Sequence, residues 1–278
     1  MFAGRRTLMS ALVSAMAVLS LAGCVEGMFF YPDTRTYATP EQLGVDVRDV
    51  VFDNGEGSRL HGWWMPAVGA ARATVVQVHG NAANVSNHAV LVAWLPAHGF
   101  NVLSFDYRGF GRSEGSPTLN GVVADTHAAL AEARRRGGGT PLVVLGQSLG
   151  GATAVRALAE DGANDVKLLI LDSAFSSYRG IARDAASRSF LSLIAPLAVA
   201  GLPPLESDPL AAMARIRTPV LLMHGERDTV IPIAHSERLH AAAVSPARFI
   251  RIPGGQHLDA LSRPALRPQL LAAIAAAL

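Results

Sequence analysis

Cysteine is nearly missing from this chain: Cys24 is the only one in 278 residues. A disulfide framework is therefore excluded within the chain, and so is a cysteine-ligated metal site. Charge is sparse as well. Asp, Glu, Lys and Arg together make up 17%, and the formal net charge is +2. No basic patch calls for a nucleic acid partner. Repeats, low-complexity blocks and disordered tails are lacking. No apolar run reaches the roughly 20 residues that a membrane span needs. What is present is a sequence that is 50% hydrophobic. That suits one sizeable α/β domain and would only awkwardly make two.

The N-terminus stands apart from the rest. Arg5 and Arg6 precede a largely apolar run from Leu8 to Ala22, followed by Gly23 and Cys24. A basic start, an apolar run and small residues before a cut site describe a secretory signal peptide. Leu21-Ala22-Gly23-Cys24 resembles a bacterial lipoprotein lipobox. That resemblance implies cleavage before Cys24 and acylation of Cys24, with several acyl chains giving firm anchoring. An ordinary signal peptide that happens to hold a cysteine is the alternative. Val25 rather than Asp after the cysteine resembles the pattern for outer-membrane sorting. Residues 1–23 hold two Arg and no acid, so a mature domain would carry 22 basic and 22 acidic residues. The expected division is a signal peptide at 1–23, a tether at 24–41 and a catalytic domain at 42–278.

Beyond the tether, strand and helix signals alternate. Val47–Phe52 and Arg59–Met65 flank Asn54-Gly55-Glu56-Gly57 and predict an antiparallel hairpin. Further strands are predicted at Thr74–His79, Asn101–Asp106, Pro141–Leu145, Val166–Leu171, Pro219–Met223 and Ala247–Ile252. Helices are predicted at Val85–Ala97, Gly121–Arg136, Ser148–Glu160, Ile233–Ala243 and over most of Leu258–Leu278. Short apolar strands alternating with helices imply a mostly parallel sheet covered on both faces. The fold class is α/β, with ligands expected beyond the carboxyl ends of the strands.

Chemistry concentrates at those strand ends. Gly146-Gln147-Ser148-Leu149-Gly150 lies between a predicted strand and a predicted helix. A nucleophile elbow has that placement, because the turn is tight and needs small flanking residues. Ser148 is the candidate nucleophile, and the Leu149 N–H can face a developing oxyanion. A serine hydroxyl needs a base. His257 fits, in a Gly-rich loop after the last strand. His88, His98, His127, His235 and His240 fall in predicted helices as surface or packing residues. His61 lies in the hairpin, and His79 and His224 read as supports of the loops they open. The acid should lie between serine and histidine, after a strand. Asp228 fits, with Glu226, Asp172 and Asp259 as competitors. The second oxyanion donor is assigned to the Asn81 N–H after the first parallel strand, with Ala82 as the near alternative.

These residues together resemble the α/β-hydrolase superfamily over nearly the whole of the expected mature chain. His79-Gly80-Asn81-Ala82-Ala83-Asn84 and Asp106-Tyr107-Arg108-Gly109-Phe110-Gly111 are similar to a single-domain subgroup. It includes Bem46-like and depalmitoylase-type proteins and carries serine aminopeptidase-like and lysophospholipase-like labels. The second stretch is expected to shape the loop beneath the site. The resemblance implies the α/β-hydrolase fold and a cap at about 175–210. Members of this fold that open epoxides or displace halides place Asp at the elbow, and dienelactone hydrolases place Cys. Ser at position 148 argues against those reactions. The expectation is hydrolysis of a small-molecule or lipid-like ester or thioester, with no metal or cofactor. Amide hydrolysis and a silent, membrane-anchored binding lipoprotein are the alternatives. The apolar run Phe190–Leu202 in the cap reads as packing or as an acyl pocket.

Overall fold

The computed structural model describes residues 27–161, 165–187, 202 and 204–278. The expected signal peptide, Cys24 and nearly all of the apolar cap run Phe190–Leu202 lie outside the described residues; of that run only Leu202 is described, and it is buried.

Ten strands occur among the described residues: β1 (Tyr31–Pro32), β2 (Arg48–Asp53), β3 (Arg59–Met65), β4 (Ala73–Val78), β5 (Ala82–Ala83), β6 (Phe100–Phe105), β7 (Leu142–Gln147), β8 (Val166–Asp172), β9 (Val220–Gly225) and β10 (Ala247–Ile252). Eight of them form one sheet in the order β10-β9-β8-β7-β4-β6-β3-β2. β2 pairs antiparallel with β3, and β3 antiparallel with β6; from β6 through to β10 the neighbours are parallel. Every residue of β4, β6, β7 and β9 is buried. Such strands read as unbroken apolar runs because both of their faces meet a covering layer.

The side chains of successive residues go to opposite layers. Leu142 and Val144 of β7 join one core with Leu130 and Val155, while Val143 and Leu145 join the other with Leu270 and Ile274. The covering helices are α1 (Val85–His88), α2 (Gly121–Gly137), α3 (Leu149–Asp161), α4 (Tyr178–Ser187), α5 (Pro209–Met213), α6 (Ala234–Ala242), α7 (Asp259–Ser262) and α8 (Arg267–Ala277). The α/β-hydrolase fold expected from the sequence is the fold observed.

Two helices are shorter than their sequence patterns suggest. The run Val85–Ala97 gives one turn of α-helix, then 3-10 turns at Ala89–Leu91 and Pro96–His98. β-branched Val90 and Val92 are poor helix formers, and Pro96 has no N–H to donate. The last segment breaks at Arg263-Pro264 into α7, a 3-10 turn and α8. Residues 29–37 are also more than a tether. β1 pairs with β5, and Tyr37 N donates to Ser86 Oγ (3.0 Å).

Candidate active site

The chain builds β4 and β6, then crosses to build β7 on the other side of β4. Loops leaving β4 and β7 diverge at that switch point and open a crevice at the carboxyl edge. Ser148 follows β7 directly, and the His79–Asn84 loop follows β4.

Ser148 adopts φ 53°, in the left-handed region that costs a non-glycine residue on the order of 1 kcal/mol or more. Its N–H donates to the Asp172 carbonyl of the neighbouring strand (2.9 Å), which ties the turn to β8. Gly150 is required here by close approach. A Cβ at that position would fall on the Val78 and His79 carbonyls. Four non-glycine residues among those described have positive φ: Ala83, Ser148, Ser173 and Leu258. Ala83 lies in the loop after β4, Ser173 follows β8, and Leu258 follows His257, so strain gathers around one edge of the sheet.

The structure brings Ser148, His257 and Asp228 together. His257 Nε2 lies 3.1 Å from Ser148 Oγ, and His257 Nδ1 lies 2.7 Å from Asp228 Oδ2. Ser148 is 7% exposed, so its hydroxyl sits at the floor of the crevice. The Asp228 side chain is fully buried, with Oδ1 accepting from the Val230 and Ile231 N–H groups (2.8 and 2.9 Å). Burial works to raise the Asp228 carboxyl. Hydrogen bonds from His224 and His257, the charge of His257 and the Ile231 N–H outweigh burial and hold the carboxyl well below the usual carboxylate range. With Asp228 ionised, Nδ1 of His257 is the protonated nitrogen, and Nε2 is left to accept from Ser148.

The competing carboxylates have other positions. Glu226 is exposed. Asp259 accepts from the Gln256 N–H (2.8 Å) and pairs with Arg263, so it staples the loop that carries His257. Asp172 is fully buried, and burial pushes its carboxyl up to about 8. It is neutral at pH 7, unlike Asp228. Ser173 Oγ donates to Asp172 Oδ1 (3.4 Å) and accepts from the Leu258 N–H (3.3 Å).

Leu149 opens α3, so its N–H has no partner within the helix. Asn81 lies in the loop after β4. His79 is fully buried, and desolvation, with the neighbouring His88, lowers its pKa well below the ordinary value. Its neutral ring meets the Gly80 carbonyl through Nδ1 (2.7 Å). A trans peptide points its N–H opposite to its C=O. Fixing the Gly80 carbonyl on one side therefore turns the Asn81 N–H to the other. Tyr107 Oη donates to the His79 carbonyl (2.8 Å), and Asp106 Oδ1 accepts from the Val85 N–H (2.6 Å). The Asp106–Gly111 stretch thus braces this loop from beneath.

One support had no clear signal in the sequence. His88 stacks on His79 with ring centroids 4.8 Å apart and meets the Ala82 carbonyl through Nε2 (2.9 Å). Its place in a presumed helix concealed that role. His224 Nε2 contacts both the Ile231 carbonyl (2.9 Å) and Asp228 Oδ2 (3.2 Å). It thereby supports the loop it opens, as the sequence suggested, and holds the acid within that loop.

A model of the family described as "Serine aminopeptidase, S33" matches residues 69–208. The uncharacterized protein YfhR of Escherichia coli is 38% identical over 256 residues, covering 90% of this chain and 86% of its own. A lysophosphatidylserine lipase of Xenopus tropicalis is 30% identical over 236 residues, 77% of this chain and 59% of its own. Among solved structures, an esterase of Pyrococcus furiosus matches with a TM-score of 0.72 at 20% identity, over 89% of this chain and 96% of that one. At that identity the likeness is one of fold. By the family match and these relatives, the chain belongs to the serine aminopeptidase S33 family of α/β-hydrolases.

Proposed function

We propose that this hydrolase cleaves carboxylic esters or thioesters through an acyl-enzyme on Ser148. The observation that carries the proposal is the unbroken hydrogen-bonded chain from Ser148 through His257 to the ionised Asp228, at 3.1 and 2.7 Å. Ser148 Oγ attacks the carbonyl carbon while His257 Nε2 takes its proton. Asp228 holds the ring in the productive tautomer and stabilises the imidazolium. The N–H groups of Asn81 and Leu149 hold the oxyanion of the tetrahedral intermediate. His257 then protonates the leaving alcohol or thiol. Water, deprotonated by the same ring, attacks the acyl-enzyme and releases the acid. Side chains and backbone N–H groups carry every step.

The lipase relative supports an ester, while the family's own description favours amide hydrolysis as the second reading. A panel of esters, thioesters and aminoacyl amides on the purified domain separates the two. Faster turnover of the amides by kcat/KM would reverse the assignment. A fluorophosphonate probe separates catalysis from a silent binding role: wild type is expected to label and Ser148→Ala is not.

The substrate is proposed to be a small or lipid-like ester, with export and lipid anchoring through Cys24 at the bacterial envelope, on the outer membrane. The support is the sequence from Arg5 to Val25 and the apolar run after Phe190. Palmitate labelling lost in Cys24→Ala is the expected result. Equal labelling of both proteins would remove the anchor. An unchanged acyl chain-length preference in a Leu193→Asp/Ile194→Asp variant would remove the acyl pocket.

A further inference from the structure

The residues before the first long strand make contacts that a passive linker has no use for. Tyr31 N donates to the Asn81 carbonyl (2.8 Å), and Asp33 N donates to the Ala83 carbonyl (3.4 Å). The pairing sets Tyr31 opposite Ala82 and Pro32 opposite Ala83, alongside the loop assigned to the oxyanion. Asn84, 3% exposed, closes the contact from the other side. Its Nδ2 donates to the Asp33 carbonyl (3.1 Å), Asp33 Oδ1 (2.8 Å) and the Arg35 carbonyl (2.8 Å). Its Oδ1 accepts from Ser86 N (3.0 Å) and Ser86 Oγ (2.6 Å). Gly111 N adds a bond to the Asp33 carbonyl (3.0 Å). Aromatic contacts seat the segment at both sides, Phe30 on Phe110 (6.3 Å) and Phe29 on Tyr178 (5.7 Å).

The geometry of these bonds decides what they do. Asn81 sits between two planar peptide units. His79 pins the first through the Gly80 carbonyl (2.7 Å), and Tyr31 pins the second through the Asn81 carbonyl (2.8 Å). With both planes fixed, the direction of the Asn81 N–H is set from both sides. Ala83 follows at φ 62°, a backbone state that a lone loop would leave. The bond from Asp33 to its carbonyl helps hold that state.

We infer that residues 29–35 are a brace for the oxyanion loop, clasped by Asn84, and that Tyr31 and Asn84 are positioning residues for the Asn81 donor. The inference rests on the assignment of the Asn81 N–H to the oxyanion. It gives the last residue of the His79–Asn84 motif a task the reaction itself does not. It also makes the segment that leads from the proposed anchor part of the catalytic apparatus.

Two variants test the brace. Tyr31→Pro deletes one N–H at a position already extended and preceding a proline, and the lost side chain is exposed. Asn84→Asp keeps the acceptor that caps Ser86 and removes the three donations to the brace. Both are measured for turnover of p-nitrophenyl butyrate and for the rate of fluorophosphonate labelling, per site titrated by that probe. Losing one oxyanion donor costs about 10²–10³ in kcat, and a misaimed donor is expected to cost at least about tenfold. KM should stay within about twofold, because a misaimed donor is felt mainly in the transition state. Either variant lowering kcat and the labelling rate in this way supports the brace. Wild-type kcat per titrated site in both, or a rise in KM alone, overturns it. Ser148→Ala keeps the two questions apart. If it turns over as wild type does, the site assignment falls. If it is inactive while both brace variants run at full rate, the brace alone falls.

Discussion

Asp172→Asn should make this protein more stable above neutral pH and leave it unchanged near pH 4. Asp172 ends β8 with no surface exposed, and its Oδ1 receives a long hydrogen bond from Ser173 (3.4 Å). Burial pushes the carboxyl up to about 8, and the nearby Asp228 charge adds to the rise. In the unfolded chain the same group titrates near the ordinary value of about 3.9. Between those two values the unfolded state releases a proton that the folded state keeps. Stability therefore falls as pH rises from about 4 to about 8 and is level with respect to this group above that. About four pKa units at about 1.4 kcal/mol each set a ceiling of about 6 kcal/mol. Asparagine matches the protonated acid in shape, keeps an acceptor for Ser173 and does not titrate. Urea midpoints of both proteins at intervals between pH 4 and 9 provide the assay. The variant should pull ahead with rising pH, reaching a gain of at least about 2 kcal/mol by pH 8, about a third of the ceiling. Parallel curves across this range would refute the claim that Asp172 is held neutral.

Other substitutions separate the parts of the site. Asp228→Asn should lower kcat by about 10³–10⁴ while KM changes little, since the ring loses its tautomer; a loss under tenfold in kinetic assays would contradict this. The same carboxyl is held well below its ordinary range, so the stability its hydrogen bonds supply is full above about pH 4 and is lost as pH falls further. Acid unfolding of wild type and Asp228→Asn should accordingly converge at low pH. Gly150→Ala should destabilise by at least about 3 kcal/mol in urea unfolding, because the new Cβ meets two carbonyls of β4 and its loop. A soluble variant of wild-type stability would show that this approach is looser than described.

The strands were legible because burial on both faces demands unbroken apolar runs, as in Leu142–Leu145 and Val220–Met223. The order of Ser148, Asp228 and His257 was legible for a related reason. Parallel strands deliver successive loops to one edge, so residue type and chain order together pointed to the roles, while the choice of Asp228 over Asp172 and Glu226 waited for the geometry. Helix lengths were harder to read. Val85–Ala97 keeps helical spacing, yet Val92 and Pro96 divide it. Residues 29–35 were least legible. Their bonds run through backbone N–H and C=O groups, which every residue carries, so no side-chain pattern marks them. His88 was hidden likewise, because a histidine that steadies a carbonyl carries no spacing rule.

The acyl-enzyme itself is the most direct test of the central claim. Purified protein is mixed with a slowly deacylated ester, quenched in acid within the first turnover, digested and examined by mass spectrometry. The peptide carrying Ser148 should gain the acyl mass in an amount matching the release burst, and Ser148→Ala should show neither adduct nor turnover. An adduct on another residue, or ester turnover that persists in Ser148→Ala, would contradict the account.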